Sequence, residues 1–215
     1  MPRFAYLLSA LLVVMAISLS WRETAAADSK ILSEAEKVVE QMRGISMQAG
    51  RQRSDGRPDP QEERRQEIME KLRALGKEAV PALVQALSDS DVQMRRNSEL
   101  VMIHLAGPYE KKPRVDITEA LPALVKATQD SDTDVRAWAA HAIAEIGPDA
   151  KSAIPALIKL LQGKDEGPRN TSCLALGAIG PAAKDALPAL RAALDDPSKD
   201  VRTFAKAAIR RIEKK

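Results

Sequence analysis

The chain has 215 residues, 45% hydrophobic and 29% charged, a balance that suits one sizeable globular domain and excludes disorder throughout. Aromatic residues make up only 3%, and the formal net charge is +3. That composition favours helices packed through small and branched aliphatic side chains over strands, and it gives no general electrostatic pull toward nucleic acid. The lone Cys173 excludes an intramolecular disulfide framework and is expected to act as a small buried apolar residue.

In chain order, the first segment stands outside the fold argument. Arg3 precedes an apolar run over 4–19, and TAAAD sets Ala25 and Ala27 at the spacing a signal peptidase reads. Residues 1–27 are therefore expected to form a signal peptide cleaved before Asp28, placing the protein outside the cell or in the periplasm. The alternative is an uncleaved N-terminal anchor, although the run is a little short of the ~20 residues of a membrane span. Loss of Arg3, Arg22 and Glu23, two positive charges and one negative, takes the charge from +3 to +2.

Residues 28–61 read as a short helix and a linker. Ser33 followed by Glu36 makes a capping box, and Ala35, Val38, Val39 and Met42 recur at helical spacing. The following GISMQAGRQRSDGRPDPQ collects Gly, Ser, Asp, Pro and Arg without a period and reads as flexible.

From residue 62 the chain repeats itself. Pro81, Pro122, Pro155 and Pro188 recur in EAVPALVQAL, EALPALVKAT, SAIPALIKLL and DALPALRAAL, separated by 41, 33 and 33 residues. A period of that size signals stacked helical pairs. Other columns keep step: Arg95, Arg136, Arg169 and Arg202 lie 14 residues after each proline, and Asp89, Asp130, Gly163 and Asp196 lie 8 after. Gly107, Gly147 and Gly180, each followed by proline, close the second helix of the first three units. A proline inside an apolar helical run is ordinarily disruptive. In the first turn, where backbone N–H groups have no internal partner, it costs no hydrogen bond. If a helix starts a turn earlier instead, near Asp149, Pro155 must kink it. The units fall at about 77–107, 117–147, 150–180 and 183–213, after a lone second helix at 62–75, and EERRQ and RRIEKK suit polar caps.

The proline, the aspartate in the turn and the Val-Arg opening a second helix, clearest in ALPALVKATQDSDTDVRAWAAHAIAEIG, resemble the HEAT repeat, particularly the short phycobilisome-lyase-like variety. The resemblance covers residues 62–215. It implies an all-α, right-handed solenoid of antiparallel helix pairs, armadillo-like. It also implies an inter-repeat ladder between Asp89, Asp130 and Asp196 and Arg95, Arg136, Arg169 and Arg202, with one rung in question at Gly163.

Such a stack offers a broad rigid surface, so the expected function is a noncatalytic protein-binding scaffold. No nucleic-acid partner, no cofactor and no membrane contact beyond the N-terminal segment are expected. The 8-residue excess in the first spacing, 41 − 33, falls in AGPYEKKPRVDI and nominates Tyr109, Lys111, Lys112 and Arg114 as a contact patch, with a tolerated insertion as the plainer reading. The non-core face of the second helices nominates His141, Lys206 and Arg210, together with small residues such as Ala137, Ala140, Cys173 and Gly177 that equally suit packing between neighbouring helices. Trp138 and Phe204 occupy one column with Asn97 and Thr171 and are expected to pack between repeats. The enzymatic alternative is a lyase or an iron oxygenase resembling deoxyhypusine hydroxylase. His104 and His141 lack its His-Glu pairing; Glu145, one turn after His141, leaves two ligands at most.

Overall fold

The computed structural model describes residues 29–48, 61–107 and 114–214, which contain helices and turns and no strand. Helix α1 covers 29–40, followed by α2 (Glu62–Leu75), α3 (Val80–Ala86), α4 (Val92–Ala106), α5 (Leu121–Ala127) and α6 (Thr133–Ile146). The array continues with α7 (Ile154–Leu161), α8 (Glu166–Ile179), α9 (Leu187–Ala192) and α10 (Lys199–Glu213).

The four prolines stand at the second residue of α3, α5, α7 and α9, where the missing N–H would have had no partner. Both sequence alternatives contain part of the answer. The chain does become helical a turn earlier, as 3₁₀ segments over Gly76–Ala79, Thr118–Ala120, Gly147–Ala153 and Gly180–Ala186. The α-helix proper begins beside the proline, and in the last two units Ala150 and Ala183, at ψ 25° and 26°, break the preceding turn. Second helices begin under side-chain caps: Asp91 accepts from the amide of Gln93, Asp132 from that of Val135, and Ser198 from those of Asp200 and Val201.

Gly76, Gly147 and Gly180 end their helices at φ 58°, 69° and 72°, a region that disfavours any side chain. Gly107 departs from the expectation: it is extended, at φ −78° and ψ 167°, because the chain leaves α4 toward the insertion instead of turning into the next unit. The insertion's far end is tied back by the Val115 amide donating to the Leu105 carbonyl at 2.9 Å.

Helices α4, α6, α8 and α10 pack side by side as one layer, and each also packs on its own first helix in the second layer. The core lies between the layers and repeats with the units. Leu83, Leu124, Leu157 and Leu190 are fully buried against Met94, Val101 and Met102 of α4, Ile143 of α6, Leu176 and Ile179 of α8, and Val201 and Ile212 of α10. No pair could bury this face alone, which is why the units come as a stack. The stretch Glu166–Asp195 is apolar enough to cross a membrane by composition, yet half of its most apolar window is buried in the stack, and Gly180 and Ala183 bend it.

Candidate partner-binding surface

The edge of the stack where each first helix turns into its second is fixed by a repeated ion-pair ladder. The ladder arginines give Nη1 to two carbonyls of their own turn: Arg95 to Asp89 and Ser90, Arg136 to Asp130 and Ser131, Arg169 to Gly163 and Lys164, Arg202 to Asp196 and Pro197. The opposite edge of the guanidinium then faces the following unit. Arg95 donates Nε and Nη2 to Asp130 at 2.9 and 3.0 Å, and Arg169 does the same to Asp196 at 2.8 and 3.0 Å. Arg169 holds the Asp196 carboxyl below the usual carboxylate range. For Asp130, burial works against ionisation, but Arg95 and the Asp132 amide outweigh it and the net shift is downward.

The rung in question at Gly163 is present with a different acceptor. Arg136 donates Nη2 to Asp165, two residues further along the turn. Asp165 stands at the N-cap of α8 but makes no side-chain cap bond there. A parallel pair, Arg96 with Asp132 and Asp134, braces α4 against α6.

Residues 42–47, which the sequence reading assigns partly to the linker, are packed into the stack. Met42, Ile45 and Met47 are buried. Asn97, 1% exposed, holds the segment by its backbone: Nδ2 donates to the carbonyls of Met42 (3.1 Å) and Ile45 (2.7 Å), and Oδ1 accepts from the Met47 amide (2.9 Å). From the other side the buried Arg65 of α2 donates to the Ser46 carbonyl at 3.3 Å. The segment is thus a wedge between α2 and α4, and its Arg43 takes the Asp89 carboxylate at 2.9 Å, the acceptor of the first unit's rung. Arg43 and Arg96 carry no sequence signal because neither lies in a column of like residues, and Asn97 is marked only as a member of the mixed column of Trp138, Thr171 and Phe204.

The described members of the nominated contact set fall at two places, Arg114 and His141 beside Glu145, and Lys206 and Arg210 on α10. Tyr109, Lys111 and Lys112 lie outside the described residues. Arg114 is exposed and lines an open groove of about 260 Å³ with Asp116, Glu145 and Asp149, so its described surroundings are acidic. His141 is half-buried, its Nε2 3.7 Å from Glu145 Oε1. Burial lowers its pKa, Glu145 opposes the shift, and His104 adds to it. Among the described residues no three His, Cys, Asp or Glu side chains converge in a metal-binding cluster.

Ala137, Ala140, Cys173 and Gly177 are buried between second helices, the packing alternative for that column set, and burial pushes the Cys173 thiol up to about 12. Trp138 is half-buried on the core, whereas Phe204 is exposed. Lys206 and Arg210 are exposed on α10.

Residues 121–210 match the family of HEAT repeats, and no curated protein matches the sequence. Among solved structures, the CpcE–CpcF complex of phycocyanin lyase from Nostoc sp. PCC7120 is 28% identical, over 73% of this chain and 62% of that one, with a TM-score of 0.56. This chain therefore spans less than two thirds of that lyase chain. A designed armadillo repeat protein in complex with the peptide (KR)4 shares 18% identity over 83% and 99% of the two chains, TM-score 0.56. An engineered protein reaches a TM-score of 0.61 at 19% identity over 89% and 93%. The last two likenesses are of fold alone. The proline-marked helix pairs and the arginine–aspartate ladder make the described residues an armadillo-like α-solenoid, of which residues 121–210 match the model of HEAT repeats.

Proposed function

We propose that the protein is a noncatalytic scaffold for a protein partner, acting after export, in the periplasm or outside the cell. The observation that carries this reading is the arginine–aspartate ladder, bidentate at Arg95 and Arg169. Each rung clamps one unit's turn to the next, so the second helices present an extended surface whose side chains are already ordered, and binding then loses little conformational freedom. The described grooves lie mainly along the first helices and the turns that join the pairs, and they are open, with volumes of about 260–470 Å³. They suit contact with a polypeptide better than enclosure of a small substrate. The designed armadillo neighbour is itself in complex with a peptide.

Affinity capture on the exported protein tests the reading directly. A protein partner is expected, and charge reversal at Lys111, Lys112 and Arg114, or at Lys206 and Arg210, is expected to weaken its capture. Unchanged capture in both variants rejects these patches. Stoichiometric iron or a coloured bound tetrapyrrole in the purified protein rejects the noncatalytic role.

A further inference from the structure

Among the described residues, Arg202 is the ladder arginine that no carboxylate of a following unit answers. Its Nη1 is held by the carbonyls of Asp196 (2.7 Å) and Pro197 (2.9 Å), as the other ladder arginines are held by their own turns. That grip leaves the Nε–Nη2 edge to meet a further acceptor. In Arg95 and Arg169 the same edge takes a carboxylate through both nitrogens, and in Arg136 through Nη2. Among the described residues no carboxylate meets that edge of Arg202.

The positions one and two turns further along the same face give a second, independent observation. After the ladder arginines of α6 and α8 these positions hold Ala140, Ala144, Cys173 and Gly177, of which Ala140, Cys173 and Gly177 are buried. The approach at Gly177 is so close that a Cβ there would stand 3.0 Å from the Ala208 Cα. In α10 the same positions are Lys206 and Arg210, both exposed. In α4 these positions hold Glu99 and Ile103, both buried beside α6, so length alone does not set α10 apart; its two positions differ in being both cationic and exposed. A polar cap can be made of either sign, yet Arg202, Lys206 and Arg210 put one sign at i, i+4 and i+8, where like charges repel.

We propose that the outer face of α10 docks an acidic polypeptide segment of the partner. One of its carboxylates closes the ladder on the Nε–Nη2 edge of Arg202, and others face Lys206 and Arg210. The inference rests on the scaffold reading and assigns it a surface and a partner chemistry. A guanidinium edge also fits phosphate, but at Arg95, Arg136 and Arg169 the charged acceptor on that edge is a carboxylate, joined at Arg136 by the Thr133 hydroxyl.

The test is a fluorescence-anisotropy titration of the full chain with a labelled Asp- and Glu-rich helical peptide, beside single-stranded DNA of equal charge. The peptide is expected to bind, and Arg202→Gln to weaken it about tenfold or more. Arg202→Lys should lose nearly as much, since an ammonium keeps the charge but not the fork. Because Arg202 also braces its own turn, Lys206→Glu with Arg210→Glu provides a second variant at exposed positions, expected to abolish peptide binding with the melting curve unchanged. No peptide binding, wild-type affinity in Arg202→Lys or in the double variant, or tighter binding of DNA overturns the proposal. A captured native partner indifferent to all three residues also sinks it while leaving the scaffold reading intact, whereas failure to capture any partner sinks the scaffold reading itself.

Discussion

At the scale of single residues, the least comfortable group in the molecule is Glu99. It is fully buried in α4, and neither carboxylate oxygen has a hydrogen-bond partner among the described residues. Burial raises its pKa well above the usual carboxylate range, the nearby Asp130 and Asp132 add to the rise, and Arg95 opposes it. Above a pH of ~4.3 the unfolded chain ionises this group while the folded protein holds its proton. Glu99 therefore costs progressively more stability as pH rises, at up to ~1.4 kcal/mol per unit, until the raised pKa is passed. The ladder aspartates have the opposite sign: Asp89, Asp130 and Asp196 are held below their usual range, so their contribution is present above ~3.9 and lost as pH falls. Glu99→Met, an unbranched replacement, should stabilise the protein by about 1–3 kcal/mol near neutral pH, and by less at pH ~5. Urea denaturation of both proteins at the two pH values checks this, and a less stable Glu99→Met sinks it. Nothing in the sequence marked Glu99, because its column mates Ala140, Cys173 and Lys206 share no chemistry with it.

At the scale of elements, the repeated proline, the glycine exits and the ladder arginines were all legible, since each is a local requirement that recurs with the unit. Two departures came from neighbours instead. Asp165 replaced the missing aspartate at Gly163 because a long arginine side chain reaches a carboxylate two residues away as readily. Gly107 lost its turn to the insertion that follows it. Spacing between helices is set by residues that look innocuous in sequence, and Gly177 is the sharpest case. An added Cβ would meet Ala208 at 3.0 Å from Cα and 3.2 Å from Cβ. Gly177→Ala should lose about 1–3 kcal/mol to overpacking, outweighing the ~1 kcal/mol it gains in helix propensity. Thermal unfolding of the variant decides which effect is larger; a raised melting temperature would show that α8 and α10 can separate freely.

For the whole molecule, a solenoid couples each unit only to its neighbours, so damage should stay local. Asn97→Ala removes the three hydrogen bonds that hold the wedge to α4. It should loosen residues 29–48 by about 1–3 kcal/mol while leaving α6 to α10 untouched. Hydrogen exchange read by mass spectrometry should show faster exchange in the wedge and α1 only. Uniformly faster exchange would mean that the stack unfolds as one cooperative body. The wedge also alters how the first unit is closed: Arg43, from a segment that reads as linker, supplies the pairing for Asp89. A sequence pattern could not place it there, because Arg43 and Asp89 are 46 residues apart with no shared period.

By itself the sequence determined the helix pairs, their number, the proline entry to each first helix and the identity of most ladder members. All of these are properties of one unit, and repetition in the chain prints them several times. The tertiary structure alone decided which carboxylate answers Arg136, which residues wedge between α2 and α4, that Glu99 is buried with no hydrogen-bond partner among the described residues, and that no described carboxylate answers Arg202. Those depend on which side chains come within reach across a stack, and distance in space between units is not written in the spacing along any one of them.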